Sequence, residues 1–152
     1  YFATGQNLTA AAMEDEIQKL VAWQINYFGS HKDLTAAETA EMAQKYYNLN
    51  FDIKPISSID DIKKEIAQNR LVIAPTAGRL LGNPNFRTPG PIYHMLAISG
   101  YDNSKITTQD VGTKRGQNYV YNEQILFNAI HDWNKTPDNI NLGKKVMLVL
   151  TN

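Results

Sequence analysis

The fold is decided by a short, mostly apolar stretch, IYHMLAISGYD at residues 92–102. Its first seven residues are apolar or aromatic except for His94, and the stretch ends in the turn-forming residues Asp102-Asn103-Ser104. An apolar run bounded by such residues predicts a buried strand followed by a turn. KITTQD at residues 105–110 then predicts the returning strand of a hairpin.

This hairpin makes His94 and Asp110 a candidate pair of interacting side chains. If the loop is the three residues Asp102 to Ser104, Tyr101 faces Lys105 and the pair shares one face of the sheet. Diagonal neighbours on one face are about 7–8 Å apart at their backbones, whereas a two-residue loop would put the two side chains on opposite faces. A carboxylate on one imidazole nitrogen leaves the other free to act as a base. The alternative is a buried histidine satisfied by a nearby acid.

Around the hairpin, helical periodicity fills the first part of the chain and strands fill the second. This order predicts one α+β domain, with a helical half (residues 1–69) packed on a mostly antiparallel sheet half (residues 70–152). The predicted helices run from Met13 to Gly29, from the capping box Thr35-Ala36-Ala37-Glu38 to Tyr47, from Ser58 to Asn69, and from Asn122 through Ile130. The predicted strands are residues 71–74, 92–101, 105–110, 117–121 and 145–151.

A long loop rich in glycine and proline, from Pro75 to about Pro91, precedes the His94 strand. Loops of this length inside a compact domain are uncommon and are often functional. Arg79, Phe86 and Arg87 give the loop groups that can contact a ligand. The alternative is a covering loop whose glycines only permit sharp turns.

Composition excludes several classes of protein. The chain has 152 residues, a formal net charge of zero and no cysteine. We therefore expect no disulfide, no thiolate metal site and no nucleic-acid partner, because nucleic-acid binders usually show a basic excess. The apolar runs are too short for membrane insertion. His31 is expected in an exposed loop and His131 late in the last helix, so neither metal nor organic cofactor is implied.

Several motifs together carry a family resemblance. They are YHMLAISGYD at residues 93–102, ITTQDVGT at residues 106–113, AGRLLGNP at residues 77–84, GQNYVY at residues 116–121 and HDWN at residues 131–134. This pattern resembles the bacteriocin-processing (double-glycine) peptidase-like domains, which are papain-like cysteine peptidases. It departs from the family at Gln109 and Val111, where that family often has Asn and usually has Pro.

The resemblance implies a papain-like fold and hydrolysis of peptide or amide bonds by a Cys-His-Asp triad. His94 would be the base and Asp110 its orienting partner. Arg79, Phe86, Arg87 and Tyr93 are the expected substrate contacts, with a peptide or protein as substrate. The family places its cysteine before the first helix seen here. We therefore expect an N-terminally truncated domain whose nucleophile lies upstream of Tyr1, and the family's tendency points to the cell envelope or exterior.

Two other interpretations stay open. One is a peptidase-like domain that has lost its nucleophile and binds a peptide or a cell-envelope partner in the same groove. The other is a structural domain in which His94 and Asp110 form a buried polar pair. A histidine sealed in the core with no groove beside it would favour the structural domain.

Overall fold

The computed structural model describes residues 5–151 of the chain. These residues fall into two compact units, one within Tyr1–Asp33 and one within Leu34–Asn152. The helices are α1 (Ala10–Phe28), α2 (Ala36–Tyr47), α3 (Ile59–Ala67) and α4 (Glu123–Ala129). The strands are β1 (Phe51–Pro55), β2 (Val72–Ala77), β3 (Tyr93–Asp102), β4 (Lys105–Gln109), β5 (Tyr119–Asn122) and β6 (Val146–Leu150). Two 3-10 helices are Gly78–Leu81 and Pro137–Leu142.

The first unit consists of α1 and the segment that follows it. Thr9 caps the helix by accepting a hydrogen bond from the amide of Ala12, and the helix ends at Gly29 as predicted. The side chain of Gln24 bonds both the amide and the carbonyl of Lys32, which ties the following segment to the helix. His31 is exposed in that segment, in agreement with the sequence. Across residues 5–151, no helix has the length and apolar character that crossing a bilayer requires.

The second unit is built on a six-stranded sheet in the order β1-β6-β2-β3-β4-β5. Every neighbouring pair of strands is antiparallel, which confirms the predicted α+β class. The helical half predicted for residues 1–69 is wrong in one respect, because it contains β1. That strand has only five residues and pairs with β6, which lies at the other end of the chain. Local periodicity carries little information about such a short edge strand.

Helices cover both faces of this sheet. On one face, a large core that includes Ile62 of α3, Leu126 of α4 and Leu96 of β3 is fully or almost fully buried. On the other face, Ala36 of α2 packs with Val146 and Leu148 of β6. Successive residues of a strand point to opposite faces. His94 therefore shares the face of Leu96, whereas Tyr93 lies on the opposite face.

The loop of the β3–β4 hairpin is shorter than predicted. Asp102 pairs with Lys105, so the loop is the two residues Asn103 and Ser104, and not the three from Asp102 to Ser104. That loop alone would put His94 and Asp110 on opposite faces. A β-bulge at Ser99 changes the register between Ile98 and Gly100. The extra residue restores the alternation, and the two side chains share one face after all.

The predicted loop from Pro75 is also too long. Pairing with β3 continues past Pro75 to Ala77, and the 3-10 helix Gly78–Leu81 follows directly. The Thr76 hydroxyl donates to the His94 carbonyl at 2.7 Å, which fastens the end of β2 to β3. A strand tolerates proline where no ladder hydrogen bond needs its amide, and Pro75 lies beyond Val72 and Ile73, the residues of β2 that pair with β6. The irregular segment is confined to residues 82–92.

Candidate active site

The side chain of His94 lies on the large-core face of β3 and is only 11% exposed. Its Nε2 atom is 2.8 Å from Oδ1 of Asp110, the residue directly after β4. The hairpin with its bulge brings these two side chains together, as the sequence predicted. Phe86 packs edge-on against the imidazole, with ring centroids 5.3 Å apart.

Asp110 is fully buried, and both its carboxylate oxygens are hydrogen-bonded. Oδ2 accepts from the Tyr121 hydroxyl at 2.5 Å and from Nδ2 of Asn83 at 2.9 Å. Burial by itself raises the pKa of Asp110, but the hydrogen bonds from His94, Tyr121 and Asn83 and the charge of His94 outweigh it. The net result is a pKa below the usual 3.8. The carboxylate is therefore ionised at neutral pH.

This network fixes the tautomer of His94. An ionised carboxylate can only accept hydrogen bonds. Nε2 of His94 therefore carries a proton and donates the hydrogen bond to Asp110. In the neutral imidazole the lone pair is then on Nδ1. Within residues 5–151, Nδ1 makes no hydrogen bond. The arrangement leaves one basic nitrogen of an oriented ring without a hydrogen-bond partner among the described residues.

Tyr121 stays a hydrogen-bond donor throughout the physiological range. Burial raises the pKa of its hydroxyl above the usual 10, and the hydrogen bond to Asp110 raises it further. Asn83 donates to the same hydroxyl at 2.9 Å, while its own Oδ1 accepts from Asn85. Each polar group around Asp110 therefore has a partner, which is the condition for burying a charge at low cost.

Two glycines let the backbone approach this network closely. A Cβ on Gly112 would lie 3.0 Å from Cε1 of His94 and 3.4 Å from Cε1 of Phe86. A Cβ on Gly116 would lie 1.6 Å from the Asp110 carbonyl oxygen, so no larger residue fits without moving the chain. The carbonyl of Gly116 in turn accepts the amide hydrogen of Asp110 at 2.9 Å. Gly112, in the segment after β4, thus lies against the edge of the His94 ring that carries Cε1.

Beside the dyad is a pocket of ≈ 140 Å³ on the segment between β2 and β3. It is lined by Gly78, Arg79, Gly82, Asn83, Pro84, Phe86, Thr88, Pro89 and Gly90. His94 and Asp110 are not part of the lining. Phe86 and Asn83 join the pocket to the dyad, since Phe86 contacts the imidazole and Asn83 bonds the carboxylate.

The structure separates the four predicted substrate contacts. Arg79 and Phe86 line the pocket, and Arg87 is exposed on the same segment without lining it. Tyr93 is buried on the other face of the sheet, where its hydroxyl donates to the Leu34 carbonyl at 3.0 Å. Tyr93 therefore supports the fold away from the pocket. Substrate binding by the other three stays a prediction.

His131, the other histidine of the second unit, bonds neither His94 nor Asp110 within the described residues. α4 ends at Ala129, so His131 follows the helix and does not belong to its last turn as predicted. Its Nδ1 donates to the Gly143 carbonyl at 2.9 Å, a contact that ties two loops together. In the part of the chain that the structure describes, no three His, Asp or Glu side chains are grouped as metal ligands would be.

The roles of Asn83 and Tyr121 were not predicted from the sequence. The available signal was weak. Asn83 follows a glycine and precedes a proline, a context that typically indicates only a turn, and Tyr121 sits in a strand where aromatic residues are common. Asn83 is 27 residues from Asp110 in sequence, and Tyr121 is 11 residues from it. Hydrophobic periodicity does not predict contacts over such separations.

We expect Tyr121→Phe to lower the free energy of unfolding by about 2 kcal/mol, because a buried hydrogen bond to a charged group is lost. It should also raise the pKa of Asp110 and reduce any turnover moderately. Urea unfolding at pH 7 measures the stability change. Tyr119→Phe is the matched control, since Tyr119 is half-buried and its hydroxyl makes no hydrogen bond within residues 5–151. Equal effects of the two substitutions would contradict the role given to Tyr121.

Comparison with known proteins was consistent with the geometry. A structure similar to this chain is a C39-like peptidase from Bacillus anthracis, with a TM-score of 0.55 at 13% sequence identity. The alignment covers 81% of this chain and 62% of that one, so the chain spans under two thirds of its structural relative. No curated protein matches the sequence. The likeness shows a papain-like α+β fold. The sequence matches the Peptidase_C39 like family over residues 2–139, and the chain therefore belongs to that family.

Proposed function

We propose that this chain carries the base and the orienting residue of a cysteine peptidase, with His94 as general base and Asp110 as its orienter. The observation that carries the proposal is the 2.8 Å contact from Nε2 of His94 to a buried, ionised carboxylate. It leaves Nδ1 as the reacting nitrogen. In the serine triad of chymotrypsin-like proteases the roles of the two nitrogens are reversed, but the chemistry of the dyad is the same.

The nucleophile in this proposal is a cysteine outside the 152 residues, since the sequence contains none. Next to Nδ1, its thiol would lose a proton to the imidazole, because an adjacent imidazolium lowers the pKa of a thiol. The thiolate would attack the carbonyl carbon of a peptide bond. His94 would then return the proton from Nδ1 to the leaving amine, and water would release the acyl group with His94 acting again as base.

A second candidate is a peptide-binding domain without hydrolytic activity. The absence of cysteine from these residues favours it. The pocket next to Phe86 would serve binding in either case. A cell-envelope partner in place of a free peptide is a variant of this second candidate.

Thiol labelling of the natural full-length protein separates the two candidates. We expect one cysteine, identified by peptide mapping, to react with iodoacetamide well below pH 7. In His94→Ala the same cysteine should react only as a free thiol does, with a pKa of about 8.5. His31→Ala, an exposed histidine, is the control that should leave labelling unchanged. A natural protein with no cysteine would support the binding domain. So would a cysteine that labels identically in the wild-type protein and in His94→Ala.

A further inference from the structure

Four cations occupy the two segments that adjoin the His94 ring. Segment A (residues 78–91) contains Arg79 and Arg87, and segment B (residues 111–117) contains Lys114 and Arg115. Neither segment contains an acidic residue, and the nearest acids in sequence on either side of segment A are Glu65 and Asp102. None of the four cations forms an ion pair within residues 5–151. In a chain of zero net charge, this is a local excess of positive charge.

The two segments meet at the imidazole. A Cβ on Gly112 of segment B would lie 3.0 Å from His94 and 3.4 Å from Phe86 of segment A, so this glycine lies close to both rings. Segment B is held tightly, because Gly116 is hydrogen-bonded to Asp110 and Thr113. The carboxylate at this junction, Asp110, is buried and fully hydrogen-bonded. It therefore does not neutralise the exposed cations.

Arg79 brings this positive charge to the pocket. Its Nε donates to the Gly90 carbonyl at 3.4 Å, while its two terminal nitrogens make no hydrogen bond within the described residues. The rest of the lining is backbone, proline, one threonine, Asn83 and the ring of Phe86. Asn83 is committed to Asp110 and Tyr121. Within the described ranges, the lining thus presents one guanidinium with free donors and no acid.

We propose that this pocket receives a glutamate or aspartate side chain of an acidic peptide, and that Arg79 holds its carboxylate. A guanidinium pairs with a carboxylate through two parallel hydrogen bonds, a geometry that an ammonium does not reproduce. Arg87, Lys114 and Arg115 attract the same peptide over a longer range. This inference rests on the proposed function in that it names the substrate class of the same site.

A peptide fits these features better than a nucleic acid does. Single-stranded nucleic acids are bound along a charged groove with several aromatic rings on which bases stack. Among residues 5–151, Phe86 is the one aromatic side chain that lines the pocket, and it packs edge-on against His94. A carboxylate on a short side chain matches a pocket with a single guanidinium.

The test measures binding of fluorescent peptides to the His94→Gln variant of the natural full-length protein, so that hydrolysis does not interfere. The probes are a positional library in which each peptide is made with Glu and with Gln at one site. We expect one position at which the Glu peptide binds about tenfold more tightly, as one charge-assisted hydrogen-bonded pair provides. The preference should shrink with added salt.

Arg79→Gln should remove the preference for the Glu peptide, and Arg79→Lys should retain only part of it. Lys105→Gln, which removes one exposed charge from the β3–β4 hairpin, is the matched control and should leave the preference intact. Circular dichroism checks that each variant is folded. Equal binding of Glu and Gln peptides at every position, or a preference unchanged in Arg79→Gln, would overturn the proposal. So would equally tight binding of an oligonucleotide of the same net charge.

The wild-type protein separates this inference from the proposed function. Hydrolysis of library peptides without a Glu preference would leave the peptidase standing and remove the acidic substrate class. A Glu preference in binding without any hydrolysis would keep the acidic ligand and favour the binding domain.

Discussion

Replacing His94 with alanine should abolish peptide hydrolysis by the natural full-length protein, with kcat/KM falling by about 10⁴-fold or more. In a serine protease, loss of the base alone costs about as much as loss of the whole triad. The same should hold here, because Nδ1 of His94 is the ring nitrogen that Asp110 leaves free to take a proton. The measurement is turnover of a fluorogenic peptide library at pH 7.

Alanine also removes a hydrogen bond to Asp110 and a contact with Phe86, so loss of folding must be separated from loss of chemistry. His94→Gln is the second variant, since its amide can still donate to Asp110 but cannot act as a base. We expect it to fold with nearly wild-type stability and to be inactive. His31→Ala is the control with full activity. Turnover that survives in a folded His94→Gln protein would remove His94 from the mechanism.

The partner of His94 was predicted from sequence, but by an incorrect route. The expected three-residue loop would have made His94 and Asp110 diagonal neighbours on one face of a regular hairpin. The molecule instead has a two-residue loop and an extra residue at Ser99, and the two differences cancel. Hairpin loops and bulges each shift register by one residue. Apolar alternation constrains only the combined register shift of the loop and the bulge. The pairing of His94 with Asp110 was therefore predictable, while the length of the loop was not.

The helices were predicted well because their signals are local. The capping box at Thr35 and Glu38 is present, with the Thr35 amide donating to the Glu38 carboxylate at 2.9 Å. The Asn122 side chain likewise caps α4. Each of these signals lies within four residues of the helix end that it determines. The strand β1 had no such signal, since its position depends on pairing with β6.

The environment of Asp110 was beyond sequence analysis for the same reason. Asn83 belongs to the segment after β2, Tyr121 belongs to β5, and the two meet only when the sheet has formed. Tyr93 illustrates the converse error. It is next to His94 in sequence and was expected at the site, but strand alternation puts it on the other face. There it packs near Trp133, with ring centroids 5.4 Å apart.

Acid should destabilise the protein through Asp110. Its pKa is lower in the folded chain than the 3.8 of an unperturbed aspartate. The stability that it contributes is therefore complete above the unfolded pKa and is lost as pH falls from about 4 through the folded pKa. We expect Asp110→Asn to remove this part of the acid dependence of urea unfolding. Asp102→Asn, an exposed aspartate on the same hairpin, should leave it unchanged.

Asp110→Asn should also lower kcat by about 10⁴-fold, the effect of the corresponding change in a serine triad. Tyr121 and Asn83 both donate toward one carboxylate oxygen. An asparagine would place its oxygen there and turn its NH₂ group toward His94. Nε2 would then have to accept, and the proton would move to Nδ1, where the base is needed.

A second variant tests this explanation by removing one of the donors that fix the orientation of the asparagine amide. In the double variant Asp110→Asn with Tyr121→Phe, one of the two donors is gone, so the amide can turn its oxygen toward His94 more easily. We expect the double variant to regain part of the activity lost in Asp110→Asn, although it is less stable. Additive losses in activity would mean that Asp110 acts through its charge alone and not through the tautomer of His94.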